Sequence, residues 1–209
     1  DTPPQEKKHA EDFIKANTKS VVSLYLIRKY FFANSSPDYD KALSLLTLLE
    51  KEQGKNPLFG KMKTWATDTR NSSVGKQLPT FTAYDLNGKM VSSADLSSAP
   101  VAVIYTWASY NYDSQELQRE LKRRQKKANG RLKLMGFCLD ASKYECKQNI
   151  KRDSITSPTI CNGEMMEDKT LNKLGLKSLP NIILLQNGKI IARGMKKQEL
   201  YNKLDELLK

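Results

Sequence analysis

Histidine is nearly absent from this chain: 209 residues contain one, His9, in the polar opening stretch "DTPPQEKKHAEDF". Cysteine is scarce too, and no two of Cys138, Cys146 and Cys161 stand in CxxC spacing. A zinc site asks for four good ligands, and this inventory does not supply them at recognisable spacing, so no metal or other cofactor is expected. A Ser–His or Cys–His catalytic pair meets the same obstacle, because the single imidazole is remote from every nucleophile in sequence. Long apolar runs are missing as well. Ile182–Leu185 is strand-sized, far below the ~20 residues of a membrane-spanning helix. The opening stretch lacks the apolar core of a signal peptide, which suits a cytosolic chain or a mature exported one.

Charge is what the chain has in excess. Lys and Arg total 35 against 23 acidic residues, a formal net charge of +12. The basic residues concentrate at Arg119, Lys122, Arg123, Arg124, Lys126, Lys127, Arg131 and Lys133. Such a run is either a surface for an acidic partner or a solvated helix face. No aromatic residues interleave it to stack bases, so no nucleic-acid partner is expected. With 39% hydrophobic residues, the chain can bury a real core and is not a disordered tail.

The first ~70 residues read as helical throughout. A short helix is expected at Glu11–Ala16, and a longer one from about Lys19 to Phe32, capped by Asn17 or Thr18. Pro37 suits a first helical position and Asp38 a first turn. The helix that follows, Asp40–Gln53, carries Ala42, Leu45, Leu46 and Leu49 on one face. Pro57–Arg70 should bury Leu58, Met62, Trp65 and Ala66. No polar constellation interrupts these stripes, as expected of a packing or docking module spanning residues 1–73.

From residue 74 the pattern changes. Asn87-Gly88 marks a hairpin, Val101–Trp107 a buried strand, and Asp113–Ala128 a helix ended by Asn129-Gly130. Leu132–Leu139 reads as a second buried strand, and residues 141–178 as helix, loop and helix. A strand pair then turns at Asn187-Gly188, and a closing helix carries Leu200, Leu204, Leu207 and Leu208. This order describes an α/β domain with a mixed sheet, residues 74–209, preceded by a small all-α module. The turn after Trp107, "ASYNYDS", sits at the carboxyl end of a buried strand, where α/β proteins commonly place their chemistry.

Three landmarks carry a family resemblance. "VGKQLPTF" (74–81) before an Asn-Gly hairpin, "TWAS" (106–109) and "LPNIILLQNGKII" (179–191) occur in the order found in thioredoxin-like proteins of the TlpA/ResA and AhpC/TSA groups. The helical module resembles the one preceding such domains in Bacteroidetes-type envelope thiol-disulfide oxidoreductases. The resemblance implies a thioredoxin-like fold, a bacterial envelope or periplasmic location, and a cis-proline at Pro180 packed against the active-site turn. It also places Asn111 and Ser114 where the family carries its two catalytic cysteines. Dithiol exchange needs a low-pKa thiolate at a helix start and a second sulfur to resolve the mixed disulfide. An amide and a hydroxyl supply neither, so no catalytic residue is expected in the turn, and Ser114 with Asp113 is expected to cap or line the first helical turn. The family's acidic residue after the second cysteine falls here at Leu117, with Glu116 one position off, and its proline at Arg119.

What the resemblance then implies is binding without catalysis. An extended protein or peptide partner would lie in a groove formed by Trp107, Tyr110, Tyr112, Leu179 and Pro180. The alternative is an oxidoreductase or peroxidase-like enzyme working through Cys138 or a Cys146/Cys161 pair. A third reading is an assembly subunit whose helical module docks the partner. Cysteines stand at comparable places in the family's insert, and a Cys146–Cys161 disulfide would contribute ~3 kcal/mol in an oxidising compartment. Cys138, near the end of its strand, is expected to be an inert buried thiol or a displaced reactive one.

Overall fold

A computed structural model of the chain describes residues 4–32, 38–176 and 178–209. Its contacts divide it into two compact units, Asp1–Asn71 and Ser72–Lys209.

The first unit contains α1 (Pro4–Ala16), α2 (Val21–Ile27) running into a π-helical turn at Arg28–Phe32, α3 (Tyr39–Gln53) and α4 (Pro57–Asn71). α1 is longer than Glu11–Ala16, the span with clear apolar periodicity. The cap of α2 is Ser20, whose side chain accepts from the Val22 N–H, and not Asn17 or Thr18. Asp38 caps α3 by accepting from the Lys41 N–H and so stands just before the helix, not in its first turn. Pro37 lies outside the described residues. Ile14, Leu24, Ile27, Leu45, Leu46 and Leu49 form the core of this unit with Phe59, Met62 and Ala66 of α4. The α4 stripe is therefore centred on Phe59. Leu58 is exposed, and the half-buried Trp65 packs against Phe32 with ring centroids 4.8 Å apart.

The second unit opens with a hairpin, β1 (Thr82–Tyr84) and β2 (Met90–Ser92), and a short α5 (Ser93–Ser97). Then come β3 (Val101–Trp107), α6 (Tyr112–Lys127), β4 (Leu132–Cys138), α7 (Lys143–Arg152) and β5 (Thr159–Ile160). After a 3₁₀ turn at Met165–Glu167 follow α8 (Lys169–Lys173), β6 (Ile182–Gln186), β7 (Lys189–Arg193) and α9 (Lys197–Leu207). The main sheet runs β5-β4-β3-β6-β7, with β5, β4 and β3 parallel and β6 and β7 antiparallel. The mixed α/β sheet is as the sequence predicts. β5 is not: its two residues are too short to show any period, and they fell inside the segment read as helix, loop and helix.

All seven β3 residues are buried because helices cover both faces of the sheet. Alternation along the strand sends Ala102 and Ile104 to the side of Met135, Phe137, Leu96 and Leu171. Val103, Tyr105 and Trp107 face the other way, against Leu117 and Leu121 of α6 and Leu200 and Leu204 of α9. Gly136 sits opposite Tyr105 in β4. A Cβ there would stand 3.1 Å from the Tyr105 ring and 3.3 Å from Trp107 Nε1, so the missing side chain is what lets both rings lie flat over β4. Asn187 and Gly188 both take positive φ, 49° and 77°, as the tight β6–β7 turn requires.

The basic run is mostly engaged within the unit. Arg119 pairs with Asp153 at 3.2 Å, Arg123 and Arg124 with Glu120, and Arg124 also with Asp205. Lys122 and Arg131 donate to backbone carbonyls of Asp153, Leu208 and Lys209. These contacts favour the salt-bridged helix face over a surface for an acidic partner.

Candidate functional site

β3 delivers the chain to the carboxyl edge of the sheet, and four residues, Ala108, Ser109, Tyr110 and Asn111, separate Trp107 from the start of α6. Asn111 is the N-cap, its side-chain oxygen accepting the Ser114 N–H at 2.8 Å. The cap thus falls on Asn111 and not on Ser114 or Asp113. Ser114 is fully buried. Its Oγ accepts from the Ala108 N–H at 3.1 Å and donates to the Asn111 carbonyl at 2.9 Å. These partners are backbone groups, and none can act as a base. The Ser109 N–H donates to Asp140 at 2.9 Å, which ties the turn to the end of β4. Asp113 faces α9, paired with Lys197 at 3.2 Å.

Of the residues expected to form a groove, Trp107 is not on the surface. It is fully buried on the α6 side of the sheet, since odd-numbered β3 residues all point that way. Tyr110 and Tyr112 are 67% and 73% exposed. Tyr112 leans along α6 toward Arg119, whose guanidinium lies 5.7 Å from its ring, and helps line a shallow groove of about 290 Å³ with Glu116 and Tyr201. The Leu179–Pro180 peptide bond is cis. Thr106, one residue before Trp107, holds this loop: its Oγ1 donates to the Ser178 carbonyl at 2.9 Å and accepts the Asn181 N–H at 2.7 Å. Leu179 is half-buried against the core. Among the described residues its backbone N–H and C=O have no hydrogen-bond partner.

Sequence spacing kept the three cysteines apart, and the fold gathers them. Cys138 ends β4, Cys146 lies near the start of α7, and Cys161 directly follows β5. Their sulfurs all lie within 4.8 Å of one another. All three are free thiols, 5%, 0% and 6% exposed. The expected Cys146–Cys161 pair is thus part of a triad and is not bridged in this structure. The argument that no ligand set exists is likewise revised, because it rested on spacing. The missed strand explains both differences: β5 lies parallel to β4 and brings Cys161 beside Cys138, with α7 packed over them.

The triad has polar neighbours. The Cys161 thiol lies 3.5 Å from the Asp140 carbonyl. Asp140 is buried, with Oδ1 taken by Ser109 and no partner for Oδ2 among the described residues. Donation from Cys138 and then Cys146 holds the Cys161 thiol far below its ordinary range. The Cys138 thiol is pushed up by its hydrogen bond with Cys146, then by the one with Cys161, and by burial. At Cys146 the bond with Cys138 acts to lower the pKa, but the Cys161 sulfur and burial outweigh it and push the thiol up.

No protein-family model matches the chain, and no curated protein does. Solved structures do. A thiol-disulfide oxidoreductase from Bacteroides fragilis is 28% identical, with a TM-score of 0.57 over 64% of this chain and 100% of that one. The thioredoxin domain of a thiol-disulfide oxidoreductase from Bacteroides vulgatus is 21% identical, with a TM-score of 0.55 over 66% of this chain and 99% of its own. A thioredoxin-like protein from Bacteroides caccae covers 96% of this chain and 76% of its own, with a TM-score of 0.65 at 12% identity, a likeness of fold alone. The sheet-bearing part of this chain is a thioredoxin-like domain, similar in structure to thiol-disulfide oxidoreductases of Bacteroides.

Proposed function

We propose that the chain is a TlpA- or AhpC/TSA-like protein of the bacterial envelope that binds an extended segment of a partner protein and performs no dithiol exchange at its β3–α6 turn. The observation that carries this reading is the backbone of Leu179. Its N–H and C=O have no partner among the described residues, and they stand beside the turn on a loop held by Thr106. A free donor and acceptor at such an edge suit pairing with an extended peptide, and Tyr110 in the β3–α6 turn offers an exposed aromatic ring. At the turn itself Asn111 and Ser114 satisfy one another and the backbone, which favours a structural role for both. Among the described residues no helix is long and apolar enough to cross a membrane.

The alternative enzyme, using Cys138 or Cys146 and Cys161, needs a sulfur that a substrate disulfide can reach. Exposures of 5%, 0% and 6% weigh against it. Insulin reduction with dithiothreitol as recycling reductant separates the readings. Wild type should be inert above the reductant background, while the Asn111→Cys/Ser114→Cys variant should turn over. An array of unstructured peptides should show wild-type binding that Tyr110→Ala weakens ~10-fold. Wild-type turnover that disappears on replacing a cysteine would establish the enzyme instead.

A further inference from the structure

Three thiols from three separate elements meet in the buried core of the sheet-bearing unit. The sulfurs come from the end of one strand, the first turns of a helix and the exit of a second strand, and all lie within 4.8 Å of one another. Three sulfurs placed ~2.3 Å from a central ion would stand about 4 Å apart, so a contraction of less than about 1 Å brings this cluster to ligand spacing. A buried polar residue adjoins the triad. Asp140 is buried, its backbone carbonyl lies 3.5 Å from the Cys161 sulfur, and one of its side-chain oxygens has no partner among the described residues.

We propose that Cys138, Cys146 and Cys161 form a binding site for one thiophilic d10 metal ion, Cu(I) in preference to Zn(II). Soft thiolates select both ions. The count of ligands decides between them: three sulfurs complete a trigonal Cu(I) site, whereas structural Zn(II) asks for a fourth ligand. Binding replaces S–H bonds with S–metal bonds and releases the protons to solvent, with no change in oxidation state.

The test uses the full chain, reduced with a phosphine and stripped of metal under nitrogen. Cu(I) is offered as its bathocuproine disulfonate complex and Zn(II) as its zincon complex. The expected result is withdrawal of one equivalent of Cu(I), an ultraviolet thiolate-to-metal charge-transfer band, and protection of all three thiols from maleimide at a urea concentration that lets the reagent label the metal-free protein. Each of Cys138→Ser, Cys146→Ser and Cys161→Ser should weaken retention ~100-fold or more. Maleimide protection in wild type needs no variant, so misfolding of a serine variant does not blunt the test. Withdrawal of Zn(II) alone, with the same protection, supports the site and reverses the preference. Wild type that withdraws neither ion, or whose thiols stay equally reactive with metal present, overturns the proposal. So does a protein whose reduced form holds no metal and whose air-exposed form carries a disulfide within the triad.

Discussion

Replacing Ser114 by alanine separates a structural hydroxyl from a catalytic one. The hydroxyl accepts the Ala108 N–H at 3.1 Å and donates to the Asn111 carbonyl at 2.9 Å, and both Ser114 and Ala108 are fully buried. Removing it leaves the Asn111 carbonyl with the Gln115 N–H at 3.2 Å, so that acceptor is not orphaned. The Ala108 N–H is, and a buried donor left unpaired costs about 1–3 kcal/mol. Alanine returns up to about 0.5 kcal/mol because it is the better helix former. The expected net loss is therefore about 1–2 kcal/mol, read as a fall of roughly 1 M in the urea midpoint. Asn111→Ala should cost about 1 kcal/mol through the cap alone. Because the two side chains serve one turn, the double variant should lose less than the sum. Insulin reduction, at background in wild type, should stay at background in Ser114→Ala. A loss below about 0.5 kcal/mol would show that the buried hydrogen bond is not being made.

Gly136→Ala drives a methyl to 3.1 Å from the Tyr105 ring and 3.3 Å from the Trp107 nitrogen. Both rings are fully buried and must shift to admit it, so a loss of about 1–3 kcal/mol is expected, with a shift in Trp107 emission. Unchanged stability would mean that the rings are not seated over β4. Burial opposes ionisation of Asp153, but the Arg152 and Arg119 guanidiniums outweigh it and hold the carboxyl below the ordinary range. Its contribution is thus full above the unfolded pKa near ~3.9 and disappears as pH falls through the lower folded value. Asp153→Asn should cost about 1–2 kcal/mol at pH 7 and converge with wild type on acidification. A gap that widens in acid would refute the sign. Arg193 spreads its guanidinium over Ser72 and over the Leu174 and Gly175 carbonyls, at 2.8 and 3.0 Å for the last two. Lysine cannot span that fork, so Arg193→Lys should lower the urea midpoint by roughly 0.5–1 M. An unchanged midpoint would count against the fork.

What the sequence made legible was what local chemistry decides. Val101–Trp107 is a long β-branched and aromatic run because helices cover both faces of the sheet. Asn187-Gly188 is a hairpin because those two residues accept positive φ, and Leu200 and Leu204 repeat at helical spacing because α9 packs one face on the sheet. Pairings between distant segments were not legible. β5 consists of two residues whose existence depends on Gly136 and Phe137 lying alongside, and nothing within Thr159–Ile160 announces it. The thiol triad was hidden for the same reason. Trp107 was misplaced for a simpler one: near a strand end, sequence does not tell which aromatic turns inward, and only the alternation of β3 across a two-faced sheet assigns it to the interior.

The distribution of satisfied and unsatisfied polar groups explains why the turn and the triad deserve different readings. In the β3–α6 turn the Asn111 side chain, the Ser114 hydroxyl and the Ser109 N–H each have a partner, so a ligand there would have to break bonds before making any. The Leu179 backbone and Asp140 Oδ2 have no such partners among the described residues. A polar group withheld from both water and partner, as Asp140 Oδ2 is, destabilises the fold by a kcal/mol or more. In commitment of their polar groups, then, the turn's side chains rank ahead of the Leu179 backbone and Asp140 Oδ2. If Ser114→Ala proves silent in stability, this ordering fails at its first step, because the turn would then hold an uncommitted hydroxyl after all.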